Sequence, residues 1–342
     1  MADERGAILA GIKAALRLHR ELGIRERVEE AGGRIDVFDG IARLGATLMF
    51  QPLDKLLGAY LPAEEAGVLV TTQRPLSVQR FTAAHELGHL WMRHSPSLDD
   101  EGILRRAPFS SGAKGVDLQE READAFASMY LIPSWVVALH MRQQGWTPTD
   151  LVDPRVVYQA SLRFGASYAA TCYALEQHKV IGRGERARLV EIEPKRIKQA
   201  LLPEGCDPPS WRGDVWVLTE RDEGRLIEGG REDLFVLRLR EDSGAGYLWD
   251  FDRLARMGFA LLRDERERVG GAGAIGGPVT RTVTASAPPA AEDTEPGEVV
   301  LEERRPWMPR QPLAAYRLRY DLRGPERPGM WEPERRRLLQ AA

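Results

Sequence analysis

The sequence predicts an α+β chain with a helix-rich first part and an all-β second part. Three observations carry this reading. Apolar residues recur at helical spacing through most of residues 7–178. Short runs of alternating polarity, parted by Gly- and Pro-rich turns, take over after residue 208. Between them lies a charged stretch, 185–210, that ends in Cys-Asp-Pro-Pro-Ser and reads as a connector. The domains expected are thus 1–184, a linker at 185–210, a β-domain at 211–325 and a tail at 326–342.

Ile8, Leu9, Ile12, Leu16 and Leu22 predict an amphipathic helix over 7–30, broken by Gly32-Gly33. A short helix is expected at 35–45, then strands at Ala46–Gln51 and Gly67–Thr72. Ser77 offers a cap for a helix reaching about His94. Residues 97–117 read as a loop, 118–131 as a strong helix stopped by Pro133, and 134–144 and 154–178 as two more helices. In the second part, strands are expected at 215–219, 234–239, 247–249, 279–284 and 315–320, with a loop over the Ala-Pro-rich residues 285–297.

With 342 residues and 43% hydrophobic content, there is apolar material for more than one core. The 48 basic and 51 acidic residues leave a net charge of −3, which gives no general attraction to nucleic acid or anionic membrane. Direct nucleic-acid binding is not expected. Two cysteines, Cys172 and Cys206, make no disulfide framework. The N-terminus lacks a signal-peptide apolar region, and no apolar run approaches the roughly 20 residues of a membrane span. A cytoplasmic location is expected.

His85-Glu86-Leu87-Gly88-His89 is the strongest chemical signal. Positions i and i+4 of a helix share a face, so two imidazoles there can grip one cation, with Glu86 beside it. A cation that activates water calls for a third ligand and an open position, and zinc suits two nitrogens and a carboxylate. The segment Gln119–Ala127 supplies candidates. Glu120 and Glu122 point to nearly opposite faces, so only one can turn to the metal. Glu122 is preferred because Ala123, Phe126 and Ala127 lie near its face, and Asp124 is a candidate outer partner for a histidine ring. His94 follows His89 by five residues, off the ligand face, and is assigned to the surface; His19, His140 and His178 are read as structural.

Arg80–His89, Glu120–Ala127 and Leu131-Ile-Pro133 together resemble the ImmA/IrrE family of zinc peptidases. The likeness extends over roughly residues 30–180. It implies a zincin-like metallopeptidase domain with zinc ligands His85, His89 and Glu122 and the catalytic base Glu86. It also implies a protein substrate, a helix-turn-helix transcriptional repressor. Many relatives carry their own DNA-binding helices at the N-terminus; residues 1–30 are too short for that.

In the second part, Ser243–Trp249, the Gly-rich run Gly270–Gly277 and Arg304-Arg-Pro-Trp307 resemble, in that order, the chagasin family of cysteine-peptidase inhibitors. The likeness covers about residues 211–322 and implies an all-β, immunoglobulin-like sandwich with recognition loops at one end. Gly246, Tyr247, Trp249, Gly276, Gly277, Arg305, Pro306 and Trp307 fall on that pattern. The first loop departs from it, since Asp242-Ser-Gly-Ala245 stands where the family favours Asn-Pro-Thr-Thr. A protein partner at these loops is expected rather than tight inhibition. The rival to a peptidase is a non-catalytic zinc-containing regulator or a cysteine-peptidase-binding module.

Overall fold

Backbone conformation at a few glycines decides where the helices stop. The helix expected over 7–30 is two, α1 (Ala2–Glu21) and α2 (Ile24–Ala31), parted at Gly23, whose φ of +58° is left-handed, and α2 ends just before Gly32-Gly33 as expected. The chain, described from a computed structural model, covers residues 2–31, 33–95, 98–100, 117–208, 210–268, 277–289, 296–308 and 310–341. The Gly270–Gly276 part of the glycine run, most of the loop expected at 97–117 and residues 290–295 of the loop expected at 285–297 lie outside these residues.

Two compact units form. One comprises Met1–Asp153, Ala160–Glu191 and Pro325–Ala342; the other comprises Pro154–Gln159 and Ile192–Gly324. The expected tail is thus part of the first unit.

In the first unit, α3 (Val37–Arg43) starts at Asp36, whose carboxylate accepts hydrogen bonds from the Phe38 and Asp39 amides. Strands β1 (Thr47–Gln51), β2 (Leu56–Leu61), β3 (Gly67–Thr71) and β4 (Leu98–Asp100) follow, with α4 (Leu76–Met92) between β3 and β4. Pro75 precedes α4 and makes no side-chain cap, so Ser77 lies within the first turn rather than capping it. α5 (Leu118–Leu131) is capped by Asp117, which accepts from the Gln119 amide, and α6 (Ser134–Gln144) follows Pro133. The single helix expected at 154–178 is two, α7 (Pro154–Phe164) and α8 (Tyr168–Gln177), interrupted at Gly165 with φ +68°. The connector expected at 185–210 holds α9 (Arg183–Val190) and, already within the second unit, α10 (Pro194–Leu201).

The second unit carries β5 (Val215–Leu218), β6 (Leu226–Glu228), β7 (Leu234–Glu241), β8 (Leu248–Trp249), α11 (Asp252–Arg256), β9 (Ala260–Arg268), β10 (Val279–Ser286), β11 (Gly297–Arg304) and β12 (Ala314–Asp321). The chain ends in β13 (Gly329–Met330) and α12 (Glu332–Ala341). None of the described helices is long and apolar enough to cross a membrane.

The described residues form a mixed α+β fold with three sheets. The first unit has the order β13-β1-β3-β2-β4, in which β1 and β3 are parallel and the other pairs antiparallel. The second unit has two four-stranded sheets, β5-β7-β10-β9 and β6-β12-β11-β8. Tyr316, Leu318 and Tyr320 alternate inward along β12, as the period-2 pattern requires. The Phe259 ring meets Phe235 of one sheet at 5.7 Å and Tyr320 of the other at 5.2 Å. Glu241, fully buried at the end of β7, accepts from the Trp249 amide at 3.0 Å and from Arg281 at 2.8 Å. That pairing satisfies a charge that would otherwise be costly to bury.

α5 is the centre of the first unit, and glycine lets its neighbours approach. A Cβ at Gly11 of α1 would stand 2.1 Å from the Glu122 carbonyl oxygen, whereas one at Gly6 would meet nothing within 4 Å. Gly11→Ala is therefore expected to lower the unfolding free energy by about 1–3 kcal/mol or more. Gly6→Ala should raise it by about 0.5–1 kcal/mol, the usual helix-interior gain. Denaturant melts of the two variants check this, and equal effects would contradict the packing.

Also between α1 and α5, His19 donates Nε2–H to the Tyr130 carbonyl at 3.0 Å. Burial lowers its pKa from 6.5 to about 4, against the pull of that bond. As pH falls below 6.5, the unfolded chain therefore takes up this proton first. The stability tied to neutral His19 is full above that value and is lost toward pH 4, by about 3 kcal/mol. His19→Gln, which cannot titrate, should show a correspondingly flatter fall between these pH values in the same melts.

Candidate metal centre

Helix α4 is buried at Gln79, Arg80 and Thr82–His89, with Phe81 half-buried, which explains a sequence apolar on several sides. β2 lies along it, and α5 crosses it at close range. Gly88 permits the crossing: a Cβ there would sit 3.1 Å from the Phe126 ring and 3.3 Å from the Ala123 Cα. The helix face carrying His85 and His89 is thereby pressed against the first two turns of α5.

The Nε2 atoms of His85 and His89 face each other at 3.0 Å, and both residues are buried. The Glu120 carboxylate joins them, with Oε2 3.4 Å from His85 Nε2 and Oε1 3.6 Å from His89 Nε2. These three residues are the His/Asp/Glu group, among those described, whose ligand atoms converge closely enough for one metal ion. Asp124, one turn beyond Glu120, places Oδ1 3.1 Å from His85 Nδ1. A carboxylate there favours the proton on Nδ1 and leaves the Nε2 lone pair turned inward. The sequence offered Asp124 as a candidate outer partner of a ring, and the fold sets it beside His85.

Glu122 is elsewhere. Its Oε2 accepts from His94 Nε2 at 2.8 Å, and His94 Nδ1 meets His89 Nδ1 at 3.0 Å. Among the described residues Glu122 thus meets His89 through His94, and Glu120, rather than the expected Glu122, is the carboxylate that converges with the two histidines. The reason is helical phase. Glu120 and Asp124 are four apart and share a face, while Glu122 is about 160° round from Asp124. His94 in turn is not a free surface residue: α4 ends at Met92, Arg93 adopts φ +57° and ψ +45°, and the chain turns back on His89.

Glu86 is fully buried. On β2, Gly58 makes room for it, since a Cβ there would lie 2.7 Å from Glu86 Oε1, 2.5 Å from Thr82 Cγ2 and 2.9 Å from the Leu69 carbonyl oxygen. Neither Gly58 nor β2 stood out in the sequence.

The residues fit a zinc ion. Two zinc–nitrogen bonds of about 2.0–2.1 Å can span nitrogens up to about 4 Å apart, and 3.0 Å lies within that reach. With Nδ1 of each ring protonated, two lone pairs and a carboxylate would face one another in a buried place, an arrangement that a cation relieves. Two imidazoles and one carboxylate are also the donor set of open, catalytic zinc sites.

The second unit brings its expected loop residues together. The Arg305 guanidinium lies 4.5 Å over the Tyr247 ring, and its Nε donates to the Ala245 carbonyl at 3.1 Å. Gly246, at φ +81°, is pressed against Trp307, whose Cη2 would be 2.5 Å from an added Cβ. Trp249 is buried, but Trp307 is 68% exposed and is no core residue. Gly276 lies outside the described residues.

Residues 41–176 match the model of the Peptidase_M78 family, described as an IrrE N-terminal-like domain. No curated protein matches the chain significantly. Among solved structures, the cysteine protease inhibitor EhICP2 from Entamoeba histolytica is 22% identical, over 32% of this chain and 96% of its own, with a TM-score of 0.26. Amebosin is 20% identical over 32% of this chain and 97% of its own, at 0.26. A Mycobacterium tuberculosis transcriptional regulator is 12% identical over 83% of this chain and 81% of its own, at 0.31. Residues 41–176 are thus similar to a metallopeptidase-type family, and His85, His89 and Glu120 within them could hold a metal.

Gly58→Ala should push Thr82 and the Glu86 carboxylate aside against an immovable Leu69 carbonyl. A loss of about 1–3 kcal/mol is expected in urea unfolding. Unchanged stability would contradict the close approach of β2 to α4.

Proposed function

We propose that this chain is a zinc-dependent endopeptidase that cleaves a regulatory protein, a helix-turn-helix transcriptional repressor, in the cytoplasm. The observation that carries the metal reading is the convergence of His85 Nε2, His89 Nε2 and the Glu120 carboxylate within 3.0–3.6 Å of one another at a buried place. The Peptidase_M78 match over the same residues supports peptide-bond hydrolysis. The substrate class rests on the sequence resemblance alone.

His85 and His89 offer their Nε2 lone pairs, and Glu120 offers one carboxylate oxygen. Zinc held there supplies Lewis acidity toward a scissile carbonyl and toward water. Glu86, next to His85 on α4 and enclosed by Gly58 and Thr82, receives the proton of the attacking water and passes it to the departing amine. Its burial confines the carboxylate to one orientation, and the same enclosure keeps bulk water from competing for it.

A separate role is proposed for the second unit. Residues 211–325 form an immunoglobulin-like sandwich whose cluster of half-buried Tyr247 and Arg305 with exposed Trp307 engages a protein partner, in the manner expected of the chagasin-like loops. The 68% exposure of Trp307 beside a cation-stacked tyrosine favours this over a purely structural role. The departure at Asp242–Ala245 argues against inhibition of a cysteine peptidase.

Elemental analysis of the purified protein should give about one zinc per chain, lost in His85→Ala and kept in Glu86→Gln. Incubation with a repressor encoded beside the gene, read by intact mass, should show chelator-sensitive cleavage that Glu86→Gln slows by about 10²–10⁴-fold. Stoichiometric zinc in His85→Ala, or full activity in Glu86→Gln, would refute these assignments.

A further inference from the structure

We propose that His94 and Glu122 form a positioning relay that fixes the ring of His89, a role that rests on the metal reading above. Neither residue belongs to the group of converging ligand atoms formed by His85, His89 and Glu120. His94 Nδ1 stands 3.0 Å from His89 Nδ1, and His94 Nε2 stands 2.8 Å from Glu122 Oε2.

Proton placement along this chain is forced once one end is set. A ring that gives Nε2 to a metal must carry its hydrogen on Nδ1. His89 Nδ1–H then donates to His94, so His94 Nδ1 must be the bare acceptor. The remaining hydrogen of His94 is on Nε2 and donates to the Glu122 carboxylate. The anion terminates the series and makes each donor in it a better donor. His85 has the shorter version of the same device, with the Asp124 carboxylate 3.1 Å from its Nδ1. The two ring ligands are thus oriented by two carboxylates, one acting directly and one through an intervening imidazole.

The backbone is built to deliver His94. Its amide donates to the His89 carbonyl at 3.0 Å. Arg93, a non-glycine residue, holds φ +57°, a conformation that disfavours β-carbon-bearing residues. The strained turn brings a ring five residues downstream back onto the helix face it had left. His94 is largely buried, at 7% side-chain exposure, while Glu122 at 24% stands at the edge, where removal leaves no cavity.

The test compares zinc affinity, by competition with a chromophoric chelator, in wild type, His94→Ala, His94→Asn and Glu122→Ala. Loss of an outer partner of a ligand typically weakens binding about 10–100-fold, and that loss is expected for His94→Ala. Asn places an amide oxygen near the lost Nδ1, so His94→Asn should recover most of the affinity. Glu122→Ala, one step further out, should lose less than His94→Ala while melting like wild type without metal, which keeps the test decisive if His94→Ala folds poorly. In zinc-loaded wild type, ring 15N shifts should report His94 protonated at Nε2 and bare at Nδ1. Wild-type affinity in both His94→Ala and Glu122→Ala, a loss that Asn does not relieve, or a His94 protonated at Nδ1 would overturn the relay. If wild type itself takes up no zinc, the metal reading falls and the relay falls with it.

Discussion

Everything in the first unit depends on how closely α5 can lie against α4. Two imidazole nitrogens and a carboxylate repel one another when they share a buried space, and only tight backbone packing can hold them within 3.6 Å. Gly88 provides this on one side, where Phe126 and Ala123 fill the space a side chain would take. Gly11 provides it on the other, where α1 rests on the α5 backbone at Glu122. α5 is therefore clamped from two directions, and Glu120, Glu122 and Asp124 are presented at fixed angles. The chemistry proposed for the site follows from that clamp, because the orientation of each ring is set by a partner carried on α5.

How much of this was legible in the sequence varies with the range of the interaction. The His-Glu-x-x-His spacing is local, and one helix satisfies it, so His85, Glu86 and His89 could be placed without knowing the fold. The third carboxylate needs the relative rotation of two helices. Apolar neighbours pointed to Glu122, yet Ala123 and Phe126 are apolar because they pack on Gly88. The signal lay in Asp124: an outer partner of His85 brings the residue four earlier, Glu120, to the same face. His94 departs from the helical spacing because α4 ends at Met92, and no sequence rule flags an arginine that turns left-handed.

The same division holds for the fold. Strands with alternation, such as β7 and β12, were visible as periods of two. β9 was not, since Ala260–Arg268 is exposed along most of its length and carries charge on both faces. β13 was hidden in a Pro- and Gly-rich tail, and its pairing with β1, Met49 opposite Met330, is a contact across nearly the whole chain. Gln79 holds the returning segment by accepting from the Glu326 amide at 2.8 Å, an interaction between residues 247 apart. Long-range pairings of this kind have no local signature.

The central claim is that one ion joins His85, His89 and Glu120. Diffraction data collected on either side of the zinc absorption edge, from crystals grown with zinc, test it most directly. The account predicts a single anomalous peak about 2.0–2.2 Å from both Nε2 atoms and a Glu120 oxygen, with Glu122 bonded to His94. A peak coordinated by Glu122, or no peak between the two rings, would contradict it.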